Sequence, residues 1–268
     1  MRRIFKVIDF HVHSRYSGDS QASMRDMCVA AVDAGLSAVV FTEHIDFAPS
    51  PWSNLSFDYD RWMRDITALR EEFAGRLSII AGAEVEFQRE YRCEIEDFLS
   101  SYSLDYVLGA VHYGNGMILE DHKAYFPGKT AYQAYAPYFE NVLAAIESGF
   151  FDTIAHLDLC KRYGVNYYGA FRLDDYRDLL EPALVSMIER GVTLEVNTSG
   201  LRQPPGETYP AFDTVALYMQ LGGRKLVLGS DAHRPHQVGY AFDKILTEIK
   251  RLGYDSEDFN GGKTKPRV

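Results

Sequence analysis

The sequence predicts an α/β fold, a (β/α) barrel with a metal site at the C-terminal ends of its strands, and three observations predict it. Seven short apolar runs recur along the 268 residues, each followed by a segment of helical period, the alternation expected of βα units around a parallel sheet. Six of the eight histidines fall at or just beyond the end of one of those runs. In parallel barrels that end is where side chains from different strands converge. No internal repeat or low-complexity tract interrupts the pattern, so one domain is expected over residues 1–254, followed by a polar Gly/Lys-rich tail at Asp255–Val268.

The first strand is read at Ile4–Val12, then a helix at Ser23–Ala34 that opens on a Ser cap and stops at Gly35. Strands Ala38–Thr42 and Leu77–Phe87 flank a helix at Asp60–Phe73. The strand at Tyr106–His112 leads into a long loop, Gly114–Lys129, and a helix at Ala131–Ser148. Thr153–Leu159 leads into a second long loop, Cys160–Asp174, and a helix at Asp175–Arg190. Pro137 and Pro182 are expected to delay or kink those two helices, because proline removes a backbone donor. Strands Thr193–Val196 and Lys225–Leu228, with helices Phe212–Leu221 and Pro235–Leu252, complete the set. Long loops at one end of a barrel commonly carry substrate contacts.

Composition narrows the function. A net charge of −10 disfavours a broad nucleic-acid-binding face, which needs clustered Lys and Arg, but permits a small phosphorylated substrate if metals invert the local field. Cys28, Cys93 and Cys160 are scattered and odd in number, which points to a reducing cytoplasm. The run after Met1-Arg2-Arg3 is too short and too charged for a signal peptide, and no stretch reaches the roughly 18 apolar residues of a membrane span.

Ligand chemistry sits at the strand ends. In Asp9-Phe10-His11-Val12-His13 the two imidazoles are two apart on an extended strand, so both can reach one metal. Phe41-Thr42-Glu43-His44, Gly82-Ala83-Glu84-Val85-Glu86, Ala110-Val111-His112, Ile154-Ala155-His156 and Gly229-Ser230-Asp231-Ala232-His233 add imidazoles and carboxylates from five further strands. Carboxylates buried in a barrel mouth need metals or strong hydrogen bonds. With Asp19 there are nine candidates, more than one tetrahedral site can use, and the mixed nitrogen and oxygen set suits Zn²⁺, Mn²⁺ or Fe²⁺. His122 and His236 are read as solvated, while Trp52, Tyr113, Tyr163 and Tyr209 are aromatic candidates for core or pocket rim.

From Asp9 to about Phe242 these motifs resemble the polymerase and histidinol phosphatase (PHP) family, in order and at similar intervals. His156-Leu157-Asp158-Leu159, Asn197-Thr198-Ser199-Gly200-Leu201-Arg202 and Gly229-Ser230-Asp231-Ala232-His233-Arg234-Pro235 look like its histidinol-phosphate phosphatase branch. The resemblance implies a distorted (β/α)₇ barrel with two or three divalent metals. It implies His11, His13, Glu84 and Asp231 around one metal, with Glu84 bridging to a second held by His112 and His156. The third would take His44, His233 and Asp19, a position where many relatives have histidine. Asp9 and Glu43 are expected to orient ligating imidazoles.

The reaction the resemblance implies is hydrolysis of a phosphomonoester, L-histidinol phosphate to L-histidinol and phosphate. The metals would activate water and neutralise phosphoryl charge. Glu84, Asp231 and His233 are the expected catalytic residues. Arg162 and Arg202 are the expected phosphate clamp because guanidinium pairs bidentately with phosphate, with Lys161 and Arg234 as lesser candidates. Competing readings are a PHP-type phosphoesterase acting on nucleotides or other small esters, a related amidohydrolase, and a non-catalytic metal-binding module.

Overall fold

The computed structural model describes residues 7–48 and 57–254. Trp52, the tail Asp255–Val268 and the first residues of the strand expected from Ile4 lie outside them.

Seven strands form one parallel sheet: β1 (Ile8–Val12), β2 (Ala38–Ile45), β3 (Ser78–Glu86), β4 (Tyr106–Ala110), β7 (Thr153–Ile154), β8 (Thr193–Asn197) and β9 (Leu226–Gly229), paired in that order. A parallel bridge between Val12 and Ala232, with the His13 amide donating to the Ala232 carbonyl at 2.9 Å, brings the two edges together. The result is the expected (β/α)₇ barrel, nearly closed. A small antiparallel hairpin, β5 (Tyr113–Gly114) and β6 (Met117–Ile118), stands outside this sheet.

Helices α1 (Met24–Asp33), α2 (Tyr59–Glu72), α3 (Arg92–Ser101), α5 (Ala131–Ser148), α7 (Arg177–Arg190), α8 (Phe212–Gln220) and α9 (Phe242–Arg251) accompany the strands. Ser23 caps α1 by accepting the Asp26 amide, and Thr130 with Gln133 forms a reciprocal capping box on α5. Helices α5 and α7 run through Pro137 and Pro182 without starting later on their account, giving up one backbone hydrogen bond each.

Two segments expected to be loops carry structure. The stretch after β4 holds the hairpin and a short α4 (His122–Tyr125), turned at Asn115-Gly116, both of positive φ. Asn-Gly is a strong two-residue hairpin signal and was legible. The stretch after β7 holds α6 (Lys161–Tyr168). Strand β7 itself stops at Ile154 rather than Leu159, because the backbone turns through a positive φ of 28° at His156.

Packing separates two cores. The larger lies between sheet and helices, and a smaller one, including Phe10, Val40, Tyr106, Leu108 and Val227, plugs the barrel interior. Among the described residues no helix is long and apolar enough to cross a membrane.

Candidate metal centre

Residues two apart on a strand share a face, so each inward row can be followed upward from the inner core. The rows read Val40-Thr42-His44 on β2, Ile80-Gly82-Glu84-Glu86 on β3, Tyr106-Leu108-Ala110-His112 from β4 and Val227-Gly229-Asp231 from β9. Apolar side chains fill the barrel and ligating ones crown it. On β1 the row needs a correction: Asp9 sits opposite Val39 but Val12 opposite Phe41, so three steps on β1 match two on β2. This bulge lets Phe10 fill the inner core while His11 and His13 also reach the centre.

Glu84 is the hub. Its Oε2 lies 3.4 Å from both His11 Nε2 and His13 Nε2 and 2.9 Å from His44 Nδ1, while Oε1 lies 2.8 Å from His156 Nε2. His11 Nε2 and His13 Nε2 are 3.0 Å apart. Asp231 Oδ1 is 3.8, 3.5 and 3.5 Å from His11, His13 and His233. Asp19 Oδ2 is 2.9 Å from His233 Nε2 and 3.6 Å from His44 Nε2.

These residues fit divalent metals. Buried Glu84 Oε2, His156 Nδ1 and His233 Nε2 have no hydrogen-bond partner of good geometry, although imidazoles and carboxylates crowd around them. Among the described residues, three sets have ligating atoms within 4.8 Å of one another: His11, His13 and Asp231; His11, Glu84 and His156; and His13, His44 and His233. His112 belongs to none of the three; its Nδ1 is 2.7 Å from Glu86 Oε2, and its ring centroid lies 5.0 Å from that of His156.

Electrostatics pull neighbouring groups in opposite directions. Burial would raise the Glu84 carboxyl, but the charges of His11 and His44 outweigh it and hold it well below the usual range. Asp231, facing His11, His233 and His13, and Asp19, beside His233 and His44, are likewise held low against burial. His13 is pushed well below its ordinary value by burial and by the charges of His233 and His44. The centre is therefore ionised on its carboxylates and tuned for cations. Backbone strain accompanies it: His156 and Asp231 have φ of 28° and 52°, conformations costing on the order of 1–3 kcal/mol in residues other than glycine.

Of the two carboxylates expected to orient the rings, Glu43 reaches one through Ser17 and Asp9 reaches none. Asp9, pushed up to about 6 by burial, accepts from the backbone amides of Ser230, Gly239 and His11 and ties loop ends rather than a ring. Glu43 accepts from Ser14 and from Ser17 Oγ, and Ser17 in turn meets His13 Nδ1 at 3.0 Å. The ring contacts belong to Glu86, on His112, and to Glu195. Glu195 is wholly buried; Oε1 lies 2.8 Å from His11 Nδ1, and Oε2 accepts the His156 amide at 2.7 Å. Gly229 makes room for it, since a Cβ there would sit 1.8 Å from Glu195 Oε1. In the sequence Glu86 stands only as the last residue of the Gly82–Glu86 motif, and the one signal at Glu195 is its position on a strand two residues before Asn197. Glu195→Gln is expected to weaken metal affinity by roughly 10–100-fold while the protein stays folded. Chelator competition measures this, and an unchanged affinity would remove Glu195 from the centre's support.

The centre floors a cleft of ≈ 520 Å³, whose walls include Arg162, Arg202, Tyr113, Tyr163 and Arg234. Arg202 donates through one Nη to the carbonyls of Ser230 and Asp231 at 2.8 and 3.3 Å, while its other Nη is buried without a partner. Lys161 is turned away from the cleft and buried, and Tyr209 is core. His122 is half-buried, 2.8 Å from the Tyr167 hydroxyl, and His236 is exposed.

A family model described as PHP domain matches residues 9–199. The chain belongs to the PHP domain family. Within and around it, the chain is 34% identical to a probable histidinol-phosphatase of Deinococcus radiodurans, over 96% of this chain and 98% of that one. It is 27% identical to a histidinol-phosphatase of Lactococcus lactis subsp. lactis, over 96% of each. The crystal structure of histidinol phosphate phosphatase from Lactococcus lactis, complexed with zinc, L-histidinol and phosphate, superposes with a TM-score of 0.86, covering 93% of this chain and 95% of that one at 27% identity. The chain also shares its fold with a chain of an archaeal ribonuclease P, at TM-score 0.57 and 14% identity.

Proposed function

We propose that the chain is a metal-dependent phosphomonoesterase that converts L-histidinol phosphate to L-histidinol and phosphate, a step of histidine biosynthesis. One observation carries the chemistry: three convergent ligand sets share a cleft with a buried, unpartnered guanidinium nitrogen of Arg202. The substrate assignment is supported by relatives covering nearly the whole chain. The cleft's size, with the net charge of −10, favours a small ester over a nucleic acid.

His11, His13, His44, His112, His156, His233, Asp19, Glu84 and Asp231 would hold two or three divalent metals, zinc, manganese or iron. Such metals supply Lewis-acid activation of water and neutralise phosphoryl charge. Glu84 keeps a full negative charge at the centre of four imidazoles and fixes their spacing. Arg162 and Arg202 grip the phosphoryl oxygens from the wall of the cleft. Asp231 and His233, both partly open to the cleft, would orient the water that protonates the leaving alkoxide, since as metal ligands they are themselves poor acids. Cys28, Cys93 and Cys160 are unpaired, which supports a cytoplasmic setting.

The test is phosphate release from L-histidinol phosphate beside nucleotides and sugar phosphates, after loading with Zn²⁺, Mn²⁺ or Fe²⁺. Strong preference for histidinol phosphate is expected. Broad or nucleotide-selective release would discard the substrate and keep the metal chemistry.

A further inference from the structure

Lys161 lies beside the cleft, takes no part in the metal centre, and is only 1% exposed. Its ammonium is 2.8 Å from Asp158 Oδ2, also fully buried, and 3.0 Å from Glu207 Oε1, and it donates to the Thr208 carbonyl at 2.9 Å. The rings of Tyr209 and Phe171 complete the cage, with centroids 5.3 and 5.9 Å from the nitrogen. Removing such charges from water commonly costs as much as their attraction returns, so well-packed apolar groups would serve stability equally. The cage has another use, visible in what it joins.

Lys161 opens α6 next to Arg162, whereas Glu207 and Thr208 close the loop that begins with the turn Ser199–Arg202. That loop folds back on itself. A Cβ on Gly200 would sit 2.1 Å from the Glu207 carbonyl oxygen, and the Tyr209 hydroxyl donates to Gln203 Oε1 at 2.8 Å. Asp158 also accepts the Ala211 amide at 3.3 Å, beyond the far end of the loop. One buried cation therefore ties the segment bearing Arg162 to the loop bearing Arg202.

We propose that Lys161 is a positioning residue for the phosphate site: it holds the Arg202 loop in register with Arg162. This rests on the reading of the two arginines as a phosphate clamp. Lys161 touches no substrate, and it acts by fixing where the Arg202 fork stands.

The experiment is a double-mutant cycle on the metal-loaded enzyme with Lys161→Met, Arg202→Ala and the pair, reading orthophosphate affinity by calorimetry, metal content, and KM and kcat for histidinol phosphate. Lys161→Met should keep its metal, bind orthophosphate roughly tenfold more weakly and raise KM to match, with kcat within about twofold. The double variant should bind no more weakly than Arg202→Ala alone, because both changes disable one device. Additive losses, or a fall in kcat at unchanged KM, would overturn the proposal. Glu207→Gln loosens the same cage from its exposed side, where the side chain is 41% accessible, and should shift KM in the same direction by less; it decides the matter if Lys161→Met does not fold. A wild-type enzyme that binds no orthophosphate overturns the clamp and the latch together, whereas a binding wild type with an equally binding Lys161→Met overturns the latch alone.

Discussion

Glu84→Gln is expected to abolish turnover and release metal while leaving the barrel folded. The amide keeps the shape of the side chain but removes the one charge that faces His11, His13, His44 and His156 within 3.4 Å. Metal-derived stabilisation of the transition state amounts to several kcal/mol, so its loss corresponds to on the order of 10³-fold or more in kcat. Metal analysis should show at least one equivalent lost per chain. The inner core beneath Glu84 is apolar and untouched, so the melting transition of the metal-free proteins should differ little. A wild-type turnover number in this variant would sink the hub role of Glu84.

Arg202→Ala is expected to lower kcat/KM by roughly 10²-fold, about 3 kcal/mol, as when one partner of a buried charge pair is truncated, and mostly through KM. In the proposed clamp its buried, unpartnered Nη is the group that would meet phosphate, and burial lowers the pKa of the guanidinium, a cost that a bound anion would offset. The other Nη braces the carbonyls of Ser230 and Asp231, so Ala also loosens a ligand held at a φ of 52°. Arg202→Lys separates the two effects: it keeps the charge without the fork, and should recover less than half of the loss in free energy if bidentate contact matters. Full recovery by Lys would reduce Arg202 to a point charge.

Much of this was written in the sequence because it is local. A strand alternates with period two, so His11 and His13 announce a shared destination without any knowledge of partners, and Asp231 and His233 announce theirs by following directly on the end of a strand. A serine before an apolar helical period and a glycine after it mark α1, and Asn115-Gly116 marks a hairpin that a reading for long loops passes over.

Contacts across the barrel were not legible, because they depend on how seven strands close on one another. Glu195 meets His11 from 184 residues away, and its role follows from the layer in which β8 sits and from the missing side chain at Gly229. The bulge between Asp9 and Val12 shifts the register of β1 and lets Phe10 and His11 both serve the interior, which strict alternation forbids. Lys161 reads as a cation next to an arginine, and only the fold back of the loop ending at Glu207 turns it inward. The sequence by itself determined the barrel, the family and the rows of ligating side chains, through periods imposed by backbone geometry. Which carboxylate holds which ring, and which cation faces the cleft, was decided by tertiary packing, since register and closure are properties of the whole sheet and of no single strand.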